Sequence, residues 1–299
     1  MEIFFSQRLK ERFPILHVAL VELHNVNNSG SRALRNIRKE VERIVKKQYS
    51  DFEKMDNIKL YSRYYSRFKK TFPVAEMISD ILKGKPIPTW SPLVDAMILA
   101  ELKHLVLLAV FDTDRIDGFL QLDEALEGEK FEKIDGETVF LQQGDLVIRD
   151  SRDIIFSYLE GMGSKAKVHR DTKNCVYVGL FIKGLDQEKV KNALKEAVKF
   201  ARLACGGKSG DIEIYDAQTG KALIEPAGPI KEVKVTPWEV AGALEKIDYQ
   251  RLIKDFGTQP LTKELIERLE NHTGPVHYLI RRGIFFSHRD LDVLLDYYE

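Results

Sequence analysis

The sequence predicts an α+β fold, and three observations carry that class. Helix-like and strand-like segments are mixed along the chain without a strict strand–helix–strand alternation. Asn174 to Lys183 (NCVYVGLFIK) is apolar on both alternating faces, the pattern of a central strand covered on both sides. Directly after it, Ala193, Leu194, Ala197 and Ala201 recur at helical spacing.

The remaining elements follow in order. Pro14 to Leu23 is an apolar run of strand length, ended by the turn formers of Asn25 to Ser31. Leu34, Ile37, Val41, Ile44 and Val45 fall on one helical face with Arg and Lys opposite, so an amphipathic helix starts near Arg32. Pro86-Ile87-Pro88 is a rigid break before a helix over Leu93 to Leu105, whose Lys103 and His104 complement the helix dipole. Asp135 to Asp150 reads as two short strands joined through Gln142-Gln143-Gly144. Asp186 caps the next helix, Leu185 and Val190 staple it, and Gly206-Gly207 end it. Ile212 to Ile224 contains a hairpin around Gln218-Thr219-Gly220, and Glu225 to Thr236 reads as a boundary rich in Pro, Gly and Lys. Further helices are expected after Thr262 and Asp290.

At 299 residues, 44% hydrophobic and 31% charged, the chain is long and apolar enough for a buried core. Lys+Arg and Asp+Glu both number 46, so any RNA-binding surface has to come from local clustering. Cys175 and Cys205 are too few for a four-ligand zinc site and read as reduced thiols, so no metal site and no cofactor is expected. No apolar run has the length of a membrane span or signal peptide, and the expectation is a soluble cytoplasmic protein without a membrane partner.

Few segments look like chemistry. Lys59 to Lys70 (KLYSRYYSRFKK) interleaves aromatic and basic residues, so Arg63, Arg67, Lys69 and Lys70 are the candidate RNA contacts. The competing reading buries Leu60, Tyr64 and Phe68, spaced by four, and leaves only the charges outside. Cys205-Gly206-Gly207-Lys208-Ser209 ends like a phosphate loop but lacks its upstream glycine, with Arg202 there instead, and follows a helix, so it is rejected as a nucleotide site. His288-Arg289-Asp290-Leu291 lacks the rest of a kinase signature, with Leu295 where a metal-binding Asn belongs. His169-Arg170-Asp171-Thr172 reads as a polar turn. Gly161-Met162-Gly163-Ser164 permits positive φ and the exposure of several amides to an anion or ester.

An ordered series of segments gives these residues a context. Ile87 to Asp95 (IPTWSPLVD), Phe111 to Gly118 (FDTDRIDG), Gly144 to Asp150 (GDLVIRD), Gly161 to Ser164 and Thr172-Lys173-Asn174 resemble, in this order, segments of the B3/B4 tRNA-editing domain of the phenylalanyl-tRNA synthetase β subunit. Tyr61 to Lys85 looks like the leader of free-standing B3/B4 proteins. The resemblance implies a B3/B4-like domain over residues 1–226, with a central mixed sheet flanked by helices. It implies a trans-editing deacylase for mischarged tRNA, or a tRNA-binding homologue with a pocket for the aminoacylated CCA end. In that pocket the Gly161, Gly163 and Ser164 amides would hold the ester oxyanion. Asp95 and Asp112 would position water or bind the amino group, and Thr172 and Asn174 would support the wall. The chain departs from the family at Ile98 (for Asn), at Ala109 (for His in bacterial enzymes) and over Ile154 to Leu159.

A second resemblance follows a linker at 227–235. Val235-Thr236-Pro237-Trp238, Ile247-Asp248-Tyr249, Asp255 to Thr258 and Arg281 to Asp290 look like the segment preceding the catalytic core of archaeal and eukaryotic tryptophanyl-tRNA synthetase. Residues 236–299 are therefore expected to be a small, mainly helical segment lacking that core, unable alone to form tryptophanyl-adenylate. The partners implied are tRNA and an aminoacyl-tRNA synthetase. The alternatives are a non-catalytic tRNA- or synthetase-binding module and a truncated part of a tryptophanyl-tRNA synthetase fusion.

Overall fold

β1 (Ile3–Phe5) and α1 (Gln7–Arg12) open the fold, and Ser6 caps α1 by accepting the Leu9 amide at 3.1 Å. In the computed structural model the described residues are 1–225, without 14, 15, 31, 218, 220 and 221. After β2 (His17–His24) come four helices, α2 (Arg35–Gln48), α3 (Asp56–Ser66), α4 (Pro73–Leu82) and α5 (Pro92–His104). Pro73 and Pro92 sit in first turns, where an amide N–H has no helical partner to lose. A strand-rich stretch follows: β3 (Leu107–Asp112), β4 (Leu120–Glu124), β5 (Glu129–Glu132), β6 (Thr138–Leu141), β7 (Leu146–Arg149), β8 (Ile154–Ser157), β9 (Gly161–Met162) and β10 (Asn174–Leu180). The described chain ends with α6 (Gln187–Cys205), β11 (Lys208–Ser209), β12 (Ile212–Asp216) and β13 (Ala222–Glu225).

The α+β class holds, with two large sheets where one central sheet was expected. The first, ordered β1-β4-β7-β8-β9, is mixed through its parallel β1/β4 pair. The second, ordered β13-β12-β2-β10-β3 with β11 also on β2, is antiparallel throughout. The expected central strand is β10, which lies between β2 and β3 with Val178 opposite both Leu20 and Ala109. Asp186 caps α6 through the Glu188 amide at 3.0 Å, Leu185 and Val190 are buried, and Gly206 ends the helix at φ +68°. The strands on either side of Gln142–Gly144 exist as β6 and β7 but lie in different sheets: β6 pairs β5, while β7 pairs β4 and β8. The hairpin near Thr219 is β12–β13. The boundary after Glu225 and the tail, including the helices expected after Thr262 and Asp290, lie outside the described residues. Among the described residues no helix is long and apolar enough to cross a membrane.

The aromatics of α3 join the two sheets. Tyr61 donates its hydroxyl to Leu180 O at 2.6 Å and accepts the Leu107 amide at 3.1 Å, both in the second sheet. Tyr64 accepts the Leu146 amide of the first sheet at 2.8 Å, and Tyr65 donates to Tyr158 O just beyond β8. Each ring supplies apolar area while its hydroxyl satisfies a backbone group. Tyr61, Tyr64, Tyr65 and Phe68 are all buried, as the helical spacing favours.

One buried carboxyl sets a pH dependence. Glu101 of α5 accepts the Leu108 amide at 2.8 Å, and burial pushes its pKa up to about 8. The folded protein then holds a proton that the unfolded chain releases at a lower pH, so stability falls as pH rises from the ordinary glutamate range through about 8. Glu101→Gln, which keeps an oxygen acceptor but no charge, should unfold at a higher denaturant midpoint than the parent at pH 9 and close to it at pH 4. Urea titrations at the two pH values check this, and an unchanged gap between the proteins would contradict it.

Candidate functional site

The antiparallel β3/β10 pair brings the most polar of the predicted residues together. Asp112 ends β3, faces Cys175 across the pair, and is 4% exposed. Its Oδ2 accepts the Thr172 hydroxyl at 2.6 Å and its Oδ1 the Asp114 amide at 3.0 Å, with Arg115 Nε 3.6 Å from the carboxylate. Asn174, the first residue of β10, donates from Nδ2 to both Asp114 oxygens at 3.2 and 3.3 Å and accepts the Asn25 amide at 3.3 Å. Asp112, Thr172 and Asn174 thus form one constellation, joined by Asp114, which the sequence reading had not singled out.

The segment 169–172 is the turn expected, with the Thr172 amide donating to His169 O at 3.2 Å and Thr172 Oγ1 accepting the His169 amide at 2.8 Å. It also delivers Thr172 to Asp112. Buried Asn28 ties this turn to α5, donating to His169 O at 2.8 Å and accepting the Leu93 amide at 3.1 Å. His169 Nε2 is buried and has no hydrogen-bond partner among the described residues. Sequence reasoning passed over this imidazole because contiguous polar residues do not reveal which of them turns inward.

Two predictions need correction. Asp95 is not free to hold water or an amino group. Its Oδ1 accepts the Trp90 amide at 2.8 Å and its Oδ2 the Arg38 guanidinium at 2.7 Å. Arg38 also donates to Ile87 O at 3.1 Å and Pro88 O at 2.5 Å, so Asp95 anchors the loop before α5. The Gly161–Ser164 segment does contain a positive φ, +84° at Gly161, but it is strand β9 and its extension rather than an open turn. The Gly163 amide donates to Ile155 O at 2.9 Å and the Ser164 amide to Glu132 O at 3.1 Å, so neither is available to an oxyanion. Gly163 is needed for close approach, because a Cβ there would stand 2.9 Å from Ile155 O. Of the two readings of the basic stretch, the one that buries its aromatics holds, and with Tyr61, Tyr64, Tyr65 and Phe68 in the core these rings do not stack on bases.

Its cations do face outward. Arg63, Arg67, Lys69 and Lys70 are exposed, with Arg67 5.6 Å above the Phe68 ring and Lys70 paired to Glu160 at 2.8 Å. Ser164 lines a cavity of about 340 Å³ with Lys130, Thr138, Asp153 and Lys165, and neither Asp112 nor Thr172 is among its lining residues. Ile98 and Ala109 are buried and apolar, so the two departures from the editing family leave no polar group at those positions. Burial raises both thiols, Cys205 to about 11, which keeps them protonated and unreactive.

Comparison with known proteins supplies the context. Residues 58–206 match the family model described as the B3/4 domain, a span holding Asp112, Thr172 and Asn174. The tryptophan–tRNA ligase of Saccharolobus solfataricus is 54% identical over 68 residues, which are 23% of this chain and 17% of that protein. The cytoplasmic tryptophan–tRNA ligase of Schizosaccharomyces pombe is 54% identical over 76 residues, 23% of this chain and 19% of that protein. The chain thus spans less than a fifth of the length of these curated relatives. An N-terminal fragment of the phenylalanyl-tRNA synthetase β subunit from Pyrococcus horikoshii superposes with a TM-score of 0.44 and 17% identity, covering 90% of this chain and 63% of that one.

Proposed function

We propose, on the premise that residues 58–206 carry a B3/4 domain, that this protein binds aminoacylated tRNA and receives the charged 3′ end at the Asp112–Thr172–Asn174 constellation. The observation that carries the reading is the coincidence of that domain with a buried carboxylate whose hydrogen bonds hold it in one orientation. An α-ammonium is the cation an aminoacyl ester always bears. Exposed Asp114 is the carboxylate that meets it, held by Asn174, while buried Asp112, bonded to Thr172 and to the Asp114 amide, fixes the turn that presents it. Arg63, Arg67, Lys69 and Lys70 supply the phosphate contacts farther along the RNA.

The test compares aminoacyl-tRNA with N-acetylaminoacyl-tRNA, which has lost the ammonium charge. The free amine should bind several-fold tighter, and Asp114→Asn should erase the difference while leaving the acetylated form unaffected. Equal affinities for both ligands in the parent protein would rule the assignment out.

Hydrolysis of the ester is a second reading, favoured by one feature: His169, whose amide bonds Thr172 Oγ1, has an Nε2 with no hydrogen-bond partner among the described residues. An imidazole nitrogen with a free lone pair is the type of group that takes a proton from attacking water, and the buried His169 nitrogen would have to turn toward the Asp112–Thr172 pair to do so. Release of Phe, Tyr, Trp, Ile or Val from charged tRNA above the buffer rate, lost in His169→Gln with binding retained, would support a deacylase. Binding without release would leave a non-catalytic module.

A further inference from the structure

A cavity of about 480 Å³ lies where α3 meets the ends of strands from both sheets. Phe13, Leu60, Leu146 and Ile182 form its apolar lining, and Arg63, Arg67 and Lys183 are its charged residues. No carboxylate lines it, and among the described residues none of the three cations forms an ion pair. The larger cavity beside α4, about 810 Å³, differs in kind: Glu53, Glu76 and Asp80 line it together with Lys59, Lys83 and Arg63, which is shared by the two cavities, so it selects no sign of charge.

We infer that the smaller groove is a subsite for single-stranded RNA, in which an unpaired base occupies the apolar floor and the flanking phosphates meet Arg63, Arg67 and Lys183. The inference rests on the tRNA reading above and assigns it a surface remote in sequence from Asp112. Two features favour a polynucleotide over another anion. Arg63 and Arg67 of the groove are four residues apart on α3 and its C-terminal cap, which places them about 6 Å apart along the helix axis. That spacing suits a chain carrying one charge per unit. The floor is apolar, the cavity holds about 480 Å³, and its one side-chain hydroxyl, on Tyr64, is already engaged by the Leu146 amide at 2.8 Å. The groove therefore holds a base by its face and reads no base edge, which makes it tolerant of sequence.

The full chain is titrated with a fluorescent uridine octanucleotide, with the same octamer carrying an abasic unit at its centre, and with charged tRNA. The intact octamer should bind about tenfold tighter than the abasic one, the range of a single seated base. The variant Arg63→Gln/Arg67→Gln/Lys183→Gln should lose most octamer binding, and its log–log salt slope should flatten by about 2, at roughly 0.7 per phosphate released. A control with Lys130, Lys195 and Lys199 changed to Gln should bind as the parent does. Equal binding of the intact and abasic octamers, or an unaffected triple variant, would overturn the subsite. So would an oligoglutamate peptide that competes as well as the octamer, since it would mark a general anion surface. If the octamer results fail while charged tRNA still binds, the groove is wrong and the tRNA reading stands. If charged tRNA does not bind while the octamer does, the groove stands without that reading.

Discussion

Replacing Arg38 with alanine is expected to lower the free energy of unfolding by about 3–5 kcal/mol, the range for removing one partner of a buried ion pair. The side chains of Arg38 and Asp95 are 16% and 8% exposed, so water does not replace the lost guanidinium. Asp95 would keep only the Trp90 amide, and the carbonyls of Ile87 and Pro88 would each lose a donor. Most of the loss is the penalty of a stranded carboxylate rather than the net worth of the pair. The variant Arg38→Ala/Asp95→Asn should therefore be more stable than Arg38→Ala alone. Urea denaturation of the three proteins measures this. A double variant no better than Arg38→Ala would mean that the backbone carbonyls, not the charge, dominate.

Gly179→Ala is the second large effect, with an expected loss of about 1–3 kcal/mol from overpacking. Gly179 lies in β10 where α6 crosses it. A Cβ added there would stand 2.3 Å from Val190 Cγ1 and 3.3 Å from Leu194 Cδ1. Val190 is β-branched and has essentially one χ1 well in a helix, so it cannot swing aside. The strand and helix would have to separate. Trimming the obstacle relieves the strain, so Val190→Ala should cost less in the Gly179→Ala background than in the parent, a coupling that a double-mutant cycle reads directly. Additive effects would place the strain elsewhere.

What was legible in the sequence is what depends on short range. The double-sided apolar run from Asn174 reports its own burial, and Asp186 with Leu185 and Val190 reports a helix start, because each signal is complete within a few residues. Tyr61, Tyr64, Tyr65 and Phe68 repeat at three and four, which already indicates a buried helical face. Partners are a different matter. The short apolar runs of β6 and β7 mark each as a strand but do not show that they belong to different sheets. The Gly163 and Ser164 amides looked available because the carbonyls that take them, on Ile155 and Glu132, belong to other strands. Likewise, nothing local in His169–Thr172 shows that Thr172 meets Asp112, 60 residues earlier. The resemblance to the editing domain proposes one context for these residues, while the geometry shows Asp112, Thr172 and Asn174 linked through Asp114, and Asp95 and the Gly163 and Ser164 amides bonded elsewhere.

The tyrosine hydroxyls of α3 have a mechanical consequence. The two large sheets share no strand, so strand pairing does not set their mutual position. A helix does so instead, bonded to Leu107 and Leu180 on one side and to Leu146 and Tyr158 on the other. The helix acts as a dowel between two plates. Its opposite face carries Lys59 and Arg63, so any load an anion places on those side chains passes through the helix to both sheets.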